Sequence, residues 1–590
     1  MTLPHQGQSG GAGEEFLSTV VAELLGVGDL ALEERLDRLG REHRLIRARG
    51  EEELPDGALA IRYRFAHALY QNVLYEDLVS KRRALLHRQA GEQLLRHYGE
   101  RSPIVATQLA MHFERGRDFA RAVEYLTHAG DNAAAIHAHG EAEAHYSRAL
   151  ELAAKLTAAE QATRSLSIYQ KRALAYTALS RFGRAEADLT QVLDRSRAGG
   201  DATLEATTLM GLATVLFYAH RTDEMKLLAE DAIRAAERAG NDGVRIGATM
   251  ILALWHLAYS GDLAEVRRLL DEVIPTARAL DFKPGLCAAL NHRATVHYFQ
   301  SEYERAEAVH TEALGLALEL RDGFARLACL FFLGLSRGNM GRMSEALATL
   351  NEALDVARRN GDHFFLPRLP NCIGWVYREL QDFERAFEYD RRGVEVARAD
   401  GVAEAEANSL INQGYNYTNA GEDEEALAAF RGVEACFARD DWSSWRYKLR
   451  LEAGAAEHWL SRGDAERAEA HARRLSEAAT YHGARKYIAT AHHVLAEVAA
   501  ARGRLAEADA ELVSVLDQLH THPVPVVAWR AYAALGRLRL RTGPGREARE
   551  CFTRAAEIVR QTAAGVSDEE LRATFLNSPP VREVLTGAAG

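Results

Sequence analysis

The chain has 590 residues, of which 47% are apolar and 26% are charged, and its formal net charge is −12. That charge disfavours a protein whose main task is to coat nucleic acid. The longest apolar run, 327–335, is far shorter than a membrane span, and the five cysteines are too widely spaced for a disulfide framework or a zinc site. The sequence therefore predicts a protein of the reduced cytoplasm, without a membrane segment.

The N-terminal part combines helical and strand patterns. Residues 1–13 are rich in Gly and Gln and are predicted to be disordered. Residues 14–64 are predicted to form a winged-helix-like module, with one helix that begins at Glu14 and a second over 30–43. Two alternating segments on either side of EEELPDG predict a β-hairpin, which would be the wing.

Residues 65–102 predict one or two connecting helices. The apolar residues Leu69, Val73 and Leu74 recur at helical spacing and are expected to face inward. The following stretch, 103–160, has the small residues of a helix-pair repeat at irregular spacing, which predicts atypical first tetratricopeptide (TPR) units.

From 161 to 560 the sequence repeats itself about every forty residues. One position in each copy serves as a register mark, and eight of its ten occupants are alanine: Ala185, Met225, Val266, Ala306, Ala346, Ala386, Ala426, Ala468, Ala508 and Ala548. The position twelve residues earlier is Gly or Ala in nine of ten copies. Two small residues at fixed phases are typical of stacked helix pairs. The predicted fold is mainly α, a TPR-like right-handed α-solenoid of ten repeats, closed by capping helices over 561–590.

No catalytic or metal-binding pattern is present in the sequence. None of the seven lysines follows a glycine, as the lysine of a phosphate-binding loop does. Two histidines on one predicted helix, His292 and His297, are five residues apart instead of the four that would place both on one helical face. The sequence therefore predicts a protein that is not an enzyme and binds no cofactor.

Asparagines stand out on one predicted helix. Asn408, Asn412, Asn416 and Asn419 follow at intervals of four, four and three residues, which places them on one stripe, and Asn371 lies in the repeat before. Asparagine is a mediocre helix former, so such a stripe needs a reason. An amide ladder on the concave wall of the solenoid would bind the backbone of an extended peptide. The alternative is that the amides only bond adjacent helices.

Five more residues complete the predicted groove. Trp375 and Tyr415 occupy equivalent places in adjacent repeats and are expected to hold ligand side chains. Arg368, Arg378 and Arg450 are expected to meet a carboxylate. The predicted function is thus a scaffold or sensor for a protein or peptide partner.

Several segments carry a resemblance to a known family. They are YRFAHALYQNVLYEDL (63–78), KRRALLHRQAGEQL (81–94), ATQLAMHFERGRDFARAVEYLTHAGDNA (106–133) and ELRATFLNSPPVREVL (570–585). They resemble the C-terminal region of bacterial STAND-class signalling ATPases, in which a winged helix and a TPR sensor array follow a nucleotide-binding core. Those proteins are often fused to adenylate cyclase, Ser/Thr kinase or LuxR-type modules. The resemblance implies a sensor in bacterial signalling, with an ATPase, kinase or regulator as a possible partner.

This sequence departs from that family in lacking a phosphate-binding loop, so it is not expected to hydrolyse ATP by itself. One alternative is the sensor half of a split STAND ATPase, whose nucleotide core is separately encoded. The other is a DNA-binding regulator controlled by a peptide. For DNA binding, arginines recur along the second helix and the first strand of the hairpin: Arg35, Arg38, Arg41, Arg44, Arg47 and Arg49. Acidic residues alternate with them, namely Glu33, Glu34, Asp37 and Glu42.

Overall fold

The computed structural model describes residues 15–543 and 545–589. They belong to two compact units, Met1–Gly240 and Asn241–Gly590. The segment predicted to be disordered, 1–13, lies outside the described residues. Within the described ranges, no helix is both long and apolar enough to span a bilayer.

The first unit begins with a small antiparallel sheet and two helices. Strands β1 (Glu15–Leu17), β2 (Ile46–Glu53) and β3 (Leu59–Phe65) are arranged in the order β1-β3-β2, and helices α1 (Ser18–Leu25) and α2 (Asp29–Arg41) lie between β1 and β2 in the chain. The hairpin β2–β3 agrees with the sequence pattern. The predicted helix from Glu14 is wrong at its start, because 15–17 pair with β3 as a strand before α1 begins.

The connecting helices α3 (Ala68–Glu76) and α4 (Ser80–Tyr98) follow the sheet. The prediction that Leu69, Val73 and Leu74 face inward is wrong, since these side chains are 59%, 59% and 56% exposed. Helical spacing shows that three side chains share a face, but it does not show whether another element covers that face. Among the described residues, α3 packs mainly against β3 and its apolar face is left open.

Helices fill the rest of the first unit, and each packs against the next one in the chain. They are α5 (Ala106–Arg115), α6 (Phe119–Ala135), α7 (His139–Ala153), α8 (Ala158–Ala178), α9 (Phe182–Gly199), α10 (Ala202–Tyr218) and α11 (Thr222–Ala239).

The second unit contains eight helix pairs and two final helices. The pairs are α12 (Asp242–Trp255) with α13 (Leu263–Ala279), α14 (Lys283–Phe299) with α15 (Tyr303–Leu320), α16 (Gly323–Asn339) with α17 (Met343–Asn360), α18 (Leu369–Glu379) with α19 (Phe383–Ala399), α20 (Ala403–Ala420) with α21 (Asp423–Arg439), α22 (Ser444–Ser461) with α23 (Ala465–His482), α24 (Arg485–Ala501) with α25 (Leu505–Thr521), and α26 (Pro525–Thr542) with α27 (Gly545–Ala564). Helices α28 (Glu569–Asn577) and α29 (Pro579–Ala589) follow.

The small residues of the repeat lie where the two helices of a pair cross. All ten register marks are 0% exposed, and each lies in the first turn of a second helix. The position twelve residues earlier, on the first helix, receives a larger side chain from the second. At Gly414, for example, a Cβ would lie 2.3 Å from Cε1 of Phe430. The close approach of the two backbones therefore explains the small residues of the repeat.

Helices α8–α9 and α10–α11 of the first unit and the eight pairs of the second make ten pairs with a register mark, and in nine of them a residue in the left-handed conformation ends the first helix. It lies five residues before the register mark, and it is glycine in five of the nine turns: Gly261, Gly341, Gly421, Gly463 and Gly503. In the other four turns a residue with a Cβ adopts the same positive φ: Ser180, His220, Ser301 and Gln381. A Cβ in this conformation costs about 1–2 kcal/mol.

We expect His220→Gly to stabilise the α10–α11 pair by about 1 kcal/mol, because glycine relieves the left-handed strain of an exposed side chain. Hydrogen exchange across 205–239 is the measurement, and slower exchange is the expected result. The control, His220→Ala, retains a Cβ and should show no such slowing. Equal protection in both variants would contradict the role assigned to φ.

The second unit curves until its first repeats contact later ones. Trp445 Nε1 on α22 donates to the Leu257 carbonyl at 2.9 Å, and the Lys486 amide on α24 donates to Ser301 Oγ at 2.9 Å. These partners are 188 and 185 residues apart, which corresponds to about four to five repeats. One hydrophobic core also joins residues of α16–α18 to residues of α24–α29. Repeats four to five apart are therefore in contact within this unit, and this arrangement is called the closed turn below.

Candidate ligand-binding cavity

The closed turn surrounds a cavity of about 450 Å³. Its walls come mainly from the first helix of each pair, namely α14, α16, α18, α20, α22, α24 and α26. This volume lies within the range of about 300–1,000 Å³ that is usual for small-ligand sites. It can enclose a compact molecule or the end of a peptide.

The cavity-lining residues recur at fixed positions relative to the register mark. The position eleven residues before the mark contributes a side chain from each of six successive repeats: Leu335, Trp375, Tyr415, Glu457, Glu497 and Arg537. The positions four and seven residues further upstream lie on the same helical face, and in the last three of these repeats both of them also line the cavity. The residue directly after the small residue of the first helix is thus the sequence signal for the cavity wall.

Seven of the ten predicted site residues line the cavity. They are Asn371, Trp375, Arg378, Asn408, Tyr415, Asn419 and Arg450. The other three are not part of the wall. Arg368 forms an ion pair with Glu404 and lies over the ring of Phe364, 3.7 Å from its centroid.

Asn412 and Asn416 face the preceding repeat instead of the cavity. They are 0% and 1% exposed, and their Nδ2 atoms donate to the two carboxylate oxygens of Asp390 at 2.8 and 2.9 Å. Asn412 Nδ2 also donates to the Asn371 carbonyl at 2.8 Å. The prediction that these two amides serve a ligand is therefore wrong, and the alternative, bonding between helices, describes them.

The error has a simple geometric cause. Asn412 and Asn416 lie one residue after the cavity-lining positions, and one residue turns an α-helix by about 100°. They therefore point at the second helix of the preceding pair. Asn408 does line the cavity, but its Nδ2 donates to Asn371 Oδ1 at 2.5 Å. The asparagine stripe is chiefly an interhelical ladder.

Asp390 is the polar centre of that ladder. It is 0% exposed, and it occupies the position that holds Leu350 one repeat earlier and Phe430 one repeat later. Burial raises the pKa of Asp390 to about 7, although the hydrogen bonds from Asn412 and Asn416 and the charges of Arg378 and Arg450 oppose the rise. An ionised carboxyl group buried at this position lowers the stability of the fold, whereas a leucine would not, because it carries no charge.

One side of the cavity has its charges paired. Arg530 on α26 lies 3.0 Å from Glu379 Oε2, and Arg537 lies 2.9 Å from Glu497 Oε1. Burial opposes the ionisation of Glu379, but the charges of Arg530 and Arg378 outweigh it and lower its pKa to about 2. These acids are therefore ionised and neutralise their arginines at neutral pH.

Other cations that line the cavity have neutral hydrogen-bond partners. Arg450 on α22 donates to the side-chain oxygens of Asn408 and Asn412, the latter at 2.5 Å. Lys486 Nζ donates to Asn339 Oδ1 at 2.8 Å, and Arg446 donates to the hydroxyl of Tyr447. Burial lowers the pKa of Lys486 to about 8; Glu379 opposes this shift, and Arg450 and Arg378 add to it. The sequence analysis did not identify Arg446 and Lys486, which lie eleven residues upstream of Glu457 and Glu497, respectively.

Aromatic rings surround these cations. The guanidinium of Arg378 lies over the Tyr415 ring at 4.2 Å from its centroid, and that of Arg446 lies 4.3 Å from the Tyr447 centroid. Lys486 Nζ lies 5.1 Å from the Trp375 centroid. Rings and cations together offer a ligand both apolar and charged surfaces.

Within 15–543 and 545–589, no three His, Cys, Asp or Glu side chains are grouped so that they could hold a metal ion. The five cysteines are free and buried. Burial raises the pKa of Cys372, which lines the cavity, to about 12. Its thiol therefore stays protonated and unreactive at neutral pH.

Comparison with known proteins yields structural neighbours only. No protein-family model matches the chain, and no curated protein sequence matches it. A Rap protein complexed with competence and sporulation factor is 14% identical, with a TM-score of 0.47, over 61% of this chain and 99% of that one. The Cut9–Hcn1 hetero-tetramer of APC/C is 15% identical, with a TM-score of 0.44, over 88% of this chain and 96% of that one. The apo form of RapI is 14% identical, with a TM-score of 0.44, over 61% of this chain and 97% of that one.

The stacked helix pairs and the small residues at their crossings define the class of this protein. It is a mainly α, TPR-like helical-repeat protein with a small sheet near its N-terminus.

Proposed function

We propose that this chain is a non-enzymatic binding protein, a sensor or scaffold that holds part of a peptide or protein in the cavity of its second unit. The observation that carries the proposal is the cavity wall, which brings Trp375, Tyr415, Arg378 and Arg450 together around about 450 Å³. Enclosed space lined by aromatic rings with a few charged groups is the usual character of a ligand site. The volume favours a peptide end or a short bent segment over a long extended chain.

The proposal also covers the setting in which the protein acts. By its resemblance to the sensor region of STAND-class ATPases, it would work in bacterial signalling, next to a partner that supplies catalysis. Contacts between repeats far apart in the chain, such as Trp445 with Leu257, give a mechanism for a sensor. A ligand that favours the closed turn over a more open one shifts the population of the second unit.

DNA binding by the N-terminal module is the second candidate. The arginines of α2 and β2, including Arg35, Arg38 and Arg47, are exposed, as phosphate contacts require. Two others already have acidic partners, since Arg41 lies 2.8 Å from Asp37 and Arg49 lies 3.9 Å from Glu15. The charge free to meet phosphate is reduced accordingly, and we favour the cavity as the site of function.

A matched pair of threonines tests the cavity. Thr490 on α24 lines the cavity and Thr311 on α15 is exposed, and each hydroxyl donates to the carbonyl four residues earlier. We expect Thr490→Trp to fill the cavity and weaken peptide binding by at least about tenfold, whereas Thr311→Trp should leave it unchanged.

The probe is a displayed library of random heptapeptides selected on the full wild-type chain. The enriched peptides are then synthesised and titrated against both variants. Failure to enrich any peptide, or equal affinity of wild type and Thr490→Trp, would overturn the proposal. Near-identical circular dichroism of the two variants guards against a loss caused by misfolding.

A further inference from the structure

The cavity-lining cations that have no ion-pair partner indicate a more specific class of ligand. The geometry points to a receptor for a single carboxylate, carried next to an apolar group by a compact ligand and held by Arg446, Arg450 and Lys486 with Arg378 beside them. This inference rests on the proposed function in placing the ligand in the same cavity. It adds the chemistry by which the ligand is recognised.

The first observation is the convergence of four cations from three repeats. Arg378 belongs to α18, Arg446 and Arg450 to α22, and Lys486 to α24, and all four line the cavity. Tyr487 lies among them: burial raises its pKa, and the charges of Arg450, Arg446 and Arg378 all oppose the rise. Three guanidinium groups are thus within electrostatic reach of one phenol.

The second observation is that three of these four cations have no ion-pair partner. Across the described residues, no carboxylate lies at ion-pair distance from Arg446, Arg450 or Lys486, whose hydrogen-bond partners are the neutral side chains named above. Arg378 contacts Glu379 at 3.4 Å through Nη2, but its Nη1 is buried without a hydrogen-bond partner. Charge withdrawn from water is costly unless it is paired. Arg530 and Arg537, which line the same cavity, do form ion pairs with Glu379 and Glu497.

The surrounding groups select the ligand. Glu457 on α22 also lines the cavity; burial raises its pKa, and the charges of Arg530 and Arg378 oppose the rise. A second negative charge on the ligand would meet this carboxylate, so a monoanion fits better than a phosphate. The partly exposed ring of Tyr415 then favours an apolar group beside the anion, because apolar contact removes its surface from water.

A free carboxylic acid and the C-terminus of a peptide share this chemistry. Two probe pairs separate them in calorimetric titrations of the full chain: 3-phenylpropanoate against its amide, and acetyl-Leu-Phe with a free carboxylate against the same peptide with a C-terminal amide. Inorganic phosphate is the fifth probe. We expect the acid of at least one pair to bind about tenfold or more tightly than its amide, since charge-assisted bonds to guanidinium are lost in the amide.

Variants locate the effect. Arg446→Gln should weaken binding of the acid about tenfold and leave the weak binding of the amide unchanged, whereas Arg431→Gln, on the exposed side of α21, should change neither. If Arg446→Gln fails to fold, the difference in affinity between each acid and its amide, measured on the wild type, tests the inference by itself.

The outcomes are distinguishable. Equal binding of acid and amide, tighter binding of phosphate, or no binding of any probe would overturn the carboxylate inference. If a peptide binds equally well with a free and an amidated C-terminus, the carboxylate inference is overturned and the proposed function remains. Binding of 3-phenylpropanoate without any peptide would support the carboxylate site and contradict the proposed peptide ligand.

Discussion

Replacement of Trp445 by alanine is expected to open the closed turn of the second unit. The indole is buried, donates to the Leu257 carbonyl at 2.9 Å, and packs against Phe299 and His482 with centroid distances of 5.1 and 4.4 Å. Removing a large buried aromatic side chain typically costs about 3–5 kcal/mol. Here the loss falls on a contact between repeats far apart in the chain, so it should destabilise the closure more than the helix pairs themselves.

Two measurements check this expectation. All six tryptophans lie between 255 and 529, so their fluorescence during urea unfolding reports on the second unit alone. Hydrogen exchange should accelerate in 256–261 and around 298–302, which the closure covers. Unchanged protection of these segments in Trp445→Ala would show that the closure does not depend on this residue.

Trp459→Ala is the matched control. Trp459 lies on the same helix, but its ring contacts are His458 and, through a cation–π interaction at 4.3 Å, Arg467 of the same repeat. Its loss should lower the stability of the α22–α23 pair and leave exchange at 256–261 unchanged.

The sequence predicted the repeat well because the repeat is a local property. Each register mark is buried by the partner helix of its own pair, as at Ala346 and Ala426. Because one helix pair spans about forty residues, this small residue recurs in every copy of the repeat. The turn glycines follow from the same local geometry, since Gly421 and Gly503 adopt the left-handed conformation that ends a first helix. Such features need no knowledge of distant residues.

The cavity was only partly predictable for the opposite reason. Trp375 and Tyr415 were identified because they occupy the same phase in adjacent repeats, and that phase does line the cavity. The same rule extends to Glu457, Glu497 and Arg537, which the sequence analysis did not recognise. The asparagine stripe lies one residue out of phase with the cavity-lining stripe. It was predicted as the site because asparagine is unusual in helices, but an unusual residue type can face either a ligand or a neighbouring helix.

The closure itself could not be read from the sequence. Lys486 meets Ser301 only because small rotations between neighbouring repeats accumulate over about four to five repeats. No local sequence pattern predicts this accumulated rotation. The enclosed character of the cavity depends on this closure.

The acid at the centre of the asparagine ladder is expected to make the stability of the second unit depend on pH. Burial raises the pKa of Asp390 to about 7 from an ordinary value of 3.8, so between these values the native state binds a proton that the unfolded chain does not. The contribution of this group therefore stabilises the fold at low pH and is lost as the pH rises toward 7. Relative to a variant without the acid, the loss between pH 5 and pH 8 should be about 3 kcal/mol.

Two substitutions separate this titration from the hydrogen bonds. Asp390→Asn removes the acid, and Asn416 Oδ1, which has no partner, can accept from the new amide after its side chain turns. Asp390→Ala also removes the acid, but it leaves Asn416 Nδ2 without an acceptor and Asn412 Nδ2 with only the Asn371 carbonyl, and it creates a cavity. As the pH rises, we expect the free energy of unfolding of both variants to increase by the same amount relative to that of the wild type. At every pH, the free energy of unfolding of Asp390→Ala should be about 2–4 kcal/mol lower than that of Asp390→Asn.

Tryptophan fluorescence during urea unfolding between pH 5 and pH 8 measures both quantities in the same unit of the protein. A constant difference between wild type and Asp390→Asn across this range would mean that the carboxyl group titrates outside it. The asparagine ladder would then hold a fully ionised aspartate, and the hydrogen bonds from Asn412 and Asn416 would outweigh burial. Equal stability of the two variants would instead show that the amides find other partners, since the cost of Asp390→Ala comes from leaving them unpaired.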